Sequence, residues 1–574
     1  VLSYQRWKSP MVGLRGIDTD GDGKADGGFW QGRNVYGIGV YEFARRLRQR
    51  VGDRVLLLAD GASPLSQRCF GQLNGIESEG WPNLRDWDFK DWSGGLNRHR
   101  FWQQHARVPA FSYVNHKYIE GQEGHWPKLP FSRHRLAFAA AQMMDAAVCY
   151  SFAPPGERGR LFPIWDELWG GAMKKPGWLG KPLGPARCLA KEQPDLLEGA
   201  GRRWPADFVR RWQGEHTTVA AEGGALRLEG DAQAKAVRAT LKGLACRGED
   251  LYVVVVLRAA ARAGYPPEIP RLAWVGLAKP DTELVRREPP PRTGMCRRGG
   301  HDEPIEPLSG AQVAYRPSWT VGRQAREAYF CHPPYRGGKP GYVYWERDVT
   351  VPPHGRLKFA IGMGKLSPQR SDGVEFRVTL KPAGATGRPQ TIFSKLYNEY
   401  RWEEHEVSLE RWSGKKVTLR FIADCGPKDN TTTDHAAWAD VRLLEAGKPE
   451  RRVRPERHMT FVSQKPFEST FYFRPVTAPR VNLAIEVEGR EPVWIESLTV
   501  HAAPDLQVRE FEHGVVLANP SLHPATFDLA RLFLGQTFHR LTASPLQDTH
   551  TNDGQPVGRR VTLGALDGLF LVKQ

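Results

Sequence analysis

The sharpest concentration of chemically useful side chains is the run Asp18-Thr-Asp20-Gly-Asp22-Gly-Lys24-Ala-Asp26. Carboxylates at alternate positions, broken by glycine, let a loop fold round a hard cation. They offer side-chain oxygens at the first, third, fifth and ninth positions and the Lys24 carbonyl at the seventh. Four aspartates this close repel one another unless a cation lies among them. A structural calcium ion (Ca2+) held by Asp18, Asp20, Asp22, Lys24 and Asp26 is therefore expected. The twelfth position is Phe29 and not the bidentate glutamate of an EF-hand, so the site is expected to be weaker or completed from elsewhere. The alternative is an acidic, solvated turn.

The second concentration is Leu73-Asn74-Gly75-Ile76-Glu77-Ser78-Glu79-Gly80-Trp81-Pro82. In a strand alternate side chains share a face, which groups Gly75, Glu77 and Glu79. Two carboxylates inside a parallel barrel are costly except at its open, C-terminal end, where catalytic groups of that architecture collect. Asp60 ends the preceding strand-like run, and Tyr113, Asn115 and His116 end the following one. Trp7, Trp81 and Trp126 are candidate sugar-stacking platforms nearby. Carboxylate pairs with aromatic platforms suit glycoside hydrolysis, in which one acid protonates the leaving oxygen and another acts as nucleophile or base. Glu79, Glu77 and Asp60 are the candidate catalytic residues. Asn74, Trp81, Tyr113, Asn115, His116 and Trp7 are the candidate substrate-binding residues. The competing account of Glu77 is a structural hydrogen-bonded acid at a strand end. Asp166-Glu167 reads more simply as an acid pair at a helix start.

The elements that must position these residues alternate between strand and helix up to about residue 187. Val55-Leu-Leu-Leu-Ala-Asp60 is an apolar run ending in a carboxylate, as a strand buried on both faces would read. Val35 to Arg50 has helical spacing, a polar-aromatic helix lies around Leu96 to His105, and a long helix runs from Ser132 to Asp145. Short loops between them predict a parallel sheet, open or closed into a barrel. From about Arg202 short β-rich runs separated by Gly and Pro take over, the pattern of antiparallel sandwiches. A Pro- and Arg-rich stretch from Arg286 to Pro307 and a second break at Ala446 to Glu456 divide them.

At 574 residues the chain is long enough for three or four domains of roughly 150 residues each. Aromatics reach 10%, which excludes global disorder, and no apolar window is long enough for a membrane-spanning helix. The formal net charge of +17 favours anionic partners. Its arginines are scattered and no zinc-finger or phosphate-loop spacing occurs, so a nucleic-acid partner is disfavoured. The short cluster Arg45, Arg46, Arg48 and Arg50 reads as a solvated helix face. Seven dispersed cysteines without a Cys-x-x-Cys pair signal neither a metal knuckle nor a redox site.

Taken together, the Asp18–Asp26 loop, the Val55 strand, Asn74-Gly-x-x-x-Glu79-x-x-Pro82 and Gly180-Lys-Pro-Leu-Gly-Pro185 resemble the glycosyl hydrolase-like family 15. Val508-Arg-Glu-Phe-Glu-His-Gly-Val-Val-Leu-Ala-Asn-Pro520 resembles that family's C-terminal β-segment. The resemblance covers roughly residues 1–187 and 508–574. It implies a TIM-barrel sugar hydrolase fold, and Glu79 is the candidate acid that falls on a matching motif. A full barrel needs about 250 residues, so strands are expected ahead of Val1. Between the matching parts, Asp372-Gly-Val-Glu-Phe, Ser413-Gly-Lys-Lys-Val-Thr-Leu and Asp434-His-Ala-Ala-Trp-Ala-Asp440 resemble jelly-roll carbohydrate-binding modules. Within that segment Trp402, Trp412 and Trp438 read as core residues.

The expected fold class is α/β plus all-β. Residues 1–187 form a partial β/α barrel of the TIM type, and 202–300 with 457–503 form a split β-sandwich. Residues 312–445 form an inserted jelly roll, and 508–574 a small C-terminal β-domain. The expected function is an extracytoplasmic glycoside hydrolase-like protein acting on a polysaccharide or oligosaccharide, with an anionic glycan suiting the charge. The rival is a non-catalytic carbohydrate-binding or scaffold protein that retains a relic barrel.

Overall fold

In the computed structural model, which describes residues 18, 20–24, 28–60, 67–79, 81–82, 91–116, 130–150, 165–246, 250–278, 284–285, 290–445, 457–474, 476, 480–545 and 547–574, the first helix is α1 (Val35–Val51). Asn34 starts it by accepting a hydrogen bond from the Gly37 amide at 2.8 Å, the role of an N-cap. Val40, Tyr41 and Ala44 form its buried stripe. Arg46 and Arg50 are solvated, as their spacing suggests, but Arg48 is not. Its guanidinium is buried and donates to the carbonyls of Gln72, Gly52 and Val55 and to Asn74 Oδ1.

Four strands follow: β1 (Leu58–Asp60), β2 (Gly75–Glu79), β3 (Tyr113–His116) and β4 (Ala147–Tyr150). They pair in parallel in the order β1-β2-β3-β4. Among the described residues this sheet has four strands and does not close into a barrel. The strand expected from Val55 begins only at Leu58. Val55 and Leu56 are 44% and 50% exposed, because they lie in the approach to the sheet, where Val55 serves Arg48 with its carbonyl.

Two helices connect these strands, α2 (Trp92–His105) and α3 (Phe131–Gln142). Both are buried along most of their length, so neither shows a clean polar face. One side of α2 meets β2, and the other meets the strands Arg457–Val462 and Phe467–Phe473 of a β-sandwich. The α3 helix, rich in alanine, packs on Asp567–Lys573 and Gly514–Asn519 of the C-terminal sheet. Gly568 permits this, since a Cβ there would lie 2.5 Å from the Arg135 carbonyl oxygen. Arg135, buried in α3, pairs with Asp567 at 2.9 Å and with Asp548.

The sandwich has two five-stranded antiparallel sheets drawn from both sides of the chain's midpoint. One runs Phe467–Phe473, Leu251–Ala259, Val493–His501, Ala225–Gly230, Thr217–Glu222. The other runs Arg457–Val462, Arg271–Ala278, Arg480–Glu488, Ala236–Ala245, Trp212–Glu215. Leu251-Tyr-Val-Val-Val-Val-Leu257 is apolar throughout because both of its faces are covered. Val253, Val255 and Leu257 are fully buried, and Tyr252 and Val254 join Trp92 and Leu96 of α2 in one apolar cluster. A six-stranded antiparallel sheet, including the short strand Arg187–Cys188, closes the chain.

The chain divides into two compact units, Val1–Ala278 with Glu456–Gln574, and Lys279–Pro455. The second unit is itself a sandwich of two five-stranded antiparallel sheets. Its core centres on Trp345 stacked on Phe421 (4.0 Å, 12°), with Trp438 edge-on to Phe376 and Phe421. No helix among the described residues is long and apolar enough to cross a membrane.

The α2 contact with the sandwich is polar as well as apolar. Asn97 donates to the carbonyls of Thr470 (2.9 Å) and Met459 (3.3 Å) and accepts from the Thr470 amide (2.9 Å). Replacing Asn97 by Ala leaves these buried backbone groups unpaired and is expected to cost about 2–3 kcal/mol. It should lower the calorimetric midpoint of the full chain; an unchanged midpoint would show that these bonds do not hold the helix.

Candidate functional site

The faces of β2 follow from its alternation. Ile76 joins the apolar cluster of α1 and α2, and Ser78 bonds Arg98 (2.9 Å) and His99 (2.8 Å) of α2. Burial and the neighbouring Arg98 push His99 well below the usual imidazole range, and this side is a packed helix contact. Glu77 therefore lies on the opposite face, on which no helix among the described residues packs. It is half-buried and accepts a hydrogen bond from Asn115 Nδ2 of β3 at 2.6 Å. Gly75 makes room for the neighbouring chain, since a Cβ there would lie 1.7 Å from the Phe111 carbonyl oxygen.

The parallel register brings the candidate residues to one end of the sheet. Asp60 is the register partner of Glu77, Glu77 of Tyr113, and Glu79 of Asn115, with His116 last in β3. These are the C-terminal ends of β1, β2 and β3, where a parallel α/β sheet collects its chemistry. Tyr113 is half-buried with its ring 6.3 Å from Phe111. Trp7, Asp26 and Trp126 lie outside the described residues.

Two expected ligand contacts are spent within the fold. Asn74 lies just before β2, at the opposite end of the strand from Glu79, and is buried. Its Oδ1 accepts from Arg48 (2.6 Å) and Leu57 N (3.0 Å), and its Nδ2 donates to the Arg107 (3.2 Å) and Pro109 (3.0 Å) carbonyls. A side-chain amide so engaged braces loops and has nothing left for a sugar. Trp81 is 2% exposed, donates to the Asp91 carbonyl and sits over Gly95, where a Cβ would lie 1.8 Å from its Nε1. It is a core residue and not a stacking platform. Asp166 and Glu167 are also buried: Asp166 accepts from the Ser544 hydroxyl (2.6 Å) and amide (3.0 Å), and Glu167 from Asn552 (2.9 Å).

The aspartate loop is folded back on itself. Asp18 accepts from the amides of Gly21 (2.7 Å), Asp22 (3.2 Å) and Gly23 (2.8 Å), while Asp22 accepts from Lys24 N (2.8 Å). Asp18, Asp20 and Asp22 each offer a carboxylate oxygen, all within 4.8 Å of one another.

A surface in the second unit is absent from the sequence expectations. Strand pairing places Phe330, Ala437 and Gly362 side by side on the outer face of one sheet, and Ala328, Ala439 and Ala360 in the neighbouring row. The four alanines are fully buried beneath Trp319 and Trp402, which are themselves half-buried. Gly362 is required there, since a Cβ would lie 2.7 Å from the Trp402 ring. Trp402 donates to the Gln324 carbonyl, and the Arg326 guanidinium sits 5.5 Å from its ring. Of the three tryptophans expected to be core, Trp438 is, and Trp412 packs against the core from its edge. Trp402 lies outside it. The signal was the small residues at every second position of Ala437-Trp-Ala439 and Ala360-Ile-Gly362, which mark a face that something flat covers.

No protein-family model matches the chain. An uncharacterised protein of Archaeoglobus fulgidus is 29% identical over 104 residues, 17% of this chain and 25% of that protein, so the chain spans about a quarter of this relative's length. Among solved structures, the C-terminal family 22 carbohydrate-binding module of Clostridium thermocellum Xyn10B is similar over 30% of this chain and 100% of that one (12% identity, TM-score 0.20). The K1 adhesin domain of Lys-gingipain from Porphyromonas gingivalis W83 is similar over 27% and 91% (13% identity, TM-score 0.18). A family 61 module, TmCBM61, in complex with β-1,4-galactotriose is similar over 24% and 90% (11% identity, TM-score 0.16). Likenesses this slight leave function to be read from the chain's own residues.

Replacing Asn74 by Ala should lower stability by about 2–4 kcal/mol, because one Arg48 N–H, the Leu57 amide and two loop carbonyls each lose a partner. The calorimetric midpoint of the full chain reads this loss, and an unchanged midpoint would show that Asn74 does not brace these loops.

Proposed function

We propose that this chain is a glycoside hydrolase-like protein of the extracytoplasmic space that acts on polysaccharide, with its reactive carboxylates at the C-terminal end of the parallel sheet. The observation that supports this reading is the placement of Glu77 on the face of β2 opposite α2, bonded to Asn115, with Asp60 ending β1 and Glu79 ending β2. A parallel sheet whose strand order never reverses is what an arc of a β/α barrel has, whereas a doubly wound sheet reverses. The resemblance to glycosyl hydrolase-like family 15 points the same way. In this reading Glu79 is the general acid or nucleophile, Glu77 or Asp60 its partner, and Asn115 orients Glu77. The aspartate loop binds calcium in a structural role.

The test is reducing-sugar release from neutral and acidic polysaccharides. Glu79→Gln and Glu77→Gln, which keep size and remove charge, should each cut turnover by ~10²–10⁴-fold while folding is retained. Full activity in Glu79→Gln would remove that residue from the mechanism.

The half-buried Trp319 and Trp402 on their alanine floor favour a second reading, in which the chain binds glycan without cleaving it. A half-buried indole packed on small residues suits the apolar face of a sugar ring. Trp402→Ala should weaken retention on immobilised glycan about tenfold, the scale of an aromatic hot spot. Unchanged retention would exclude this face.

A further inference from the structure

The C-terminal β-region holds a cleft of about 520 Å³, a size within the range of small-ligand pockets. It lies where the strands Phe538–Arg540, Arg560–Leu563 and Asp567–Lys573 meet the loop 549–553. Leu563 and Leu569 line it from the core and are each 3% exposed, so its deepest surface is apolar. Its walls are polar and carry both signs, with Arg540 and His550 set among Asp553 and Asp567. The cleft shares no residue with the Glu77 end of the parallel sheet or with the tryptophan face of the second unit. Two wall groups are held in place by the fold. Asp567 receives Arg135 of α3 on both oxygens, at 3.0 and 3.1 Å, and Arg540 donates through Nη1 to the Thr551 carbonyl at 3.0 Å. Asp567 Oδ2 keeps a lone pair for a further donor. Arg540 Nη2, the His550 ring and the Thr549 hydroxyl have no hydrogen-bond partner among the described residues.

These walls select the chemistry of an occupant. An anion drawn to Arg540 meets Asp553, whose carboxylate lies 3.9 Å from Arg540 Nε. A cation drawn to the two aspartates meets Arg540 in turn. An apolar molecule strips water from all of these groups and returns no hydrogen bond. What satisfies them is a neutral ligand that donates and accepts round its rim and lays C–H groups on the leucines, which is the chemistry of a sugar ring. We propose that this cleft binds a short stretch of neutral glycan, with Asp553 and Asp567 accepting from its hydroxyls and Arg540, His550 and Thr549 donating to them. The site gives the chain a hold on glycan in a sheet separate from the strand-end carboxylates. The inference stands whether or not Glu79 cleaves glycan.

The experiment uses the full chain carrying Glu79→Gln, so that turnover at the other site does not consume the probe. Hydrogen exchange is followed by mass spectrometry while β-1,4-galactotriose, xylohexaose, cellohexaose or maltohexaose is titrated in, with trigalacturonate as the acidic control. At least one neutral oligosaccharide is expected to slow exchange in the peptide spanning residues 549–553, and the concentration that gives half of that protection reads the affinity of this cleft alone. Arg540→Ala should raise that concentration at least tenfold. His550→Ala, at an exposed side chain with no partner to lose, should raise it severalfold and reads the same site if Arg540→Ala fails to fold. Protection of this peptide by none of the neutral sugars would overturn the proposal. So would protection that both substitutions leave unchanged, or trigalacturonate binding here more tightly than the neutral sugars. Loss of reducing-sugar release in Glu79→Gln is a separate readout and leaves this one untouched.

Discussion

The backbone groups on the exposed edges of the first sandwich constrain much of the unit built around them. Arg457–Val462 and Phe467–Phe473 are each the outermost strand of their sheet, and a bare edge is a row of unpaired donors and acceptors open to further pairing. Here α2 closes both. Asn97 serves Thr470 and Met459, Ser93 accepts from the Tyr472 amide at 2.8 Å, and Trp92 donates to the buried Asp505 at 2.8 Å. Gly95 lets the helix approach Trp81, since a Cβ there would lie 1.8 Å from its Nε1. The same helix holds β2 through Ser78. The position of Glu77 is thus coupled to the edges of a sandwich hundreds of residues away in sequence.

The helices carry the second junction in the same way. Arg135 of α3 reaches Asp548 and Asp567, and Asp166 and Glu167 reach Ser544 and Asn552, all across a boundary between the α/β region and the C-terminal sheet. Burial pushes Glu167 above the usual carboxylate range despite Arg135, and its carboxylate is engaged by Asn552 in this docking contact. The helices α2 and α3, which pack on the parallel sheet, are themselves covered by β-structure.

Both sandwiches bury one face of each sheet, yet they treat their outer faces differently. In the first, the face carrying Tyr252 and Val254 is covered by α2. In the second, the outer-face alanines Ala328, Ala360, Ala437 and Ala439 lie beneath Trp319 and Trp402 of the same unit. A floor of small residues under flat aromatic side chains yields a broad, level surface, in contrast to the strand-end carboxylates of the parallel sheet.

What the sequence determined by itself is local. Helical spacing in Val35–Arg50 and the apolar run at Leu251–Leu257 specify α1 and a buried strand, because periodicity and burial are written in neighbouring residues. The alternation through Gly75, Glu77 and Glu79 likewise predicted that Ile76 and Glu77 face opposite ways. Partners distant in sequence were decided only by tertiary structure. Asn74, Trp81 and Arg48 look polar or amphipathic in isolation, and each is consumed by loops or helices that reach it through folding. Trp402 reads like Trp438, and only strand register tells a tryptophan over an alanine floor from one in the core. The start of α2 at Trp92, ahead of the expected Leu96, belongs to the same class. Gly95, which disfavours a helix locally, is retained in one because Trp81 must fit against it.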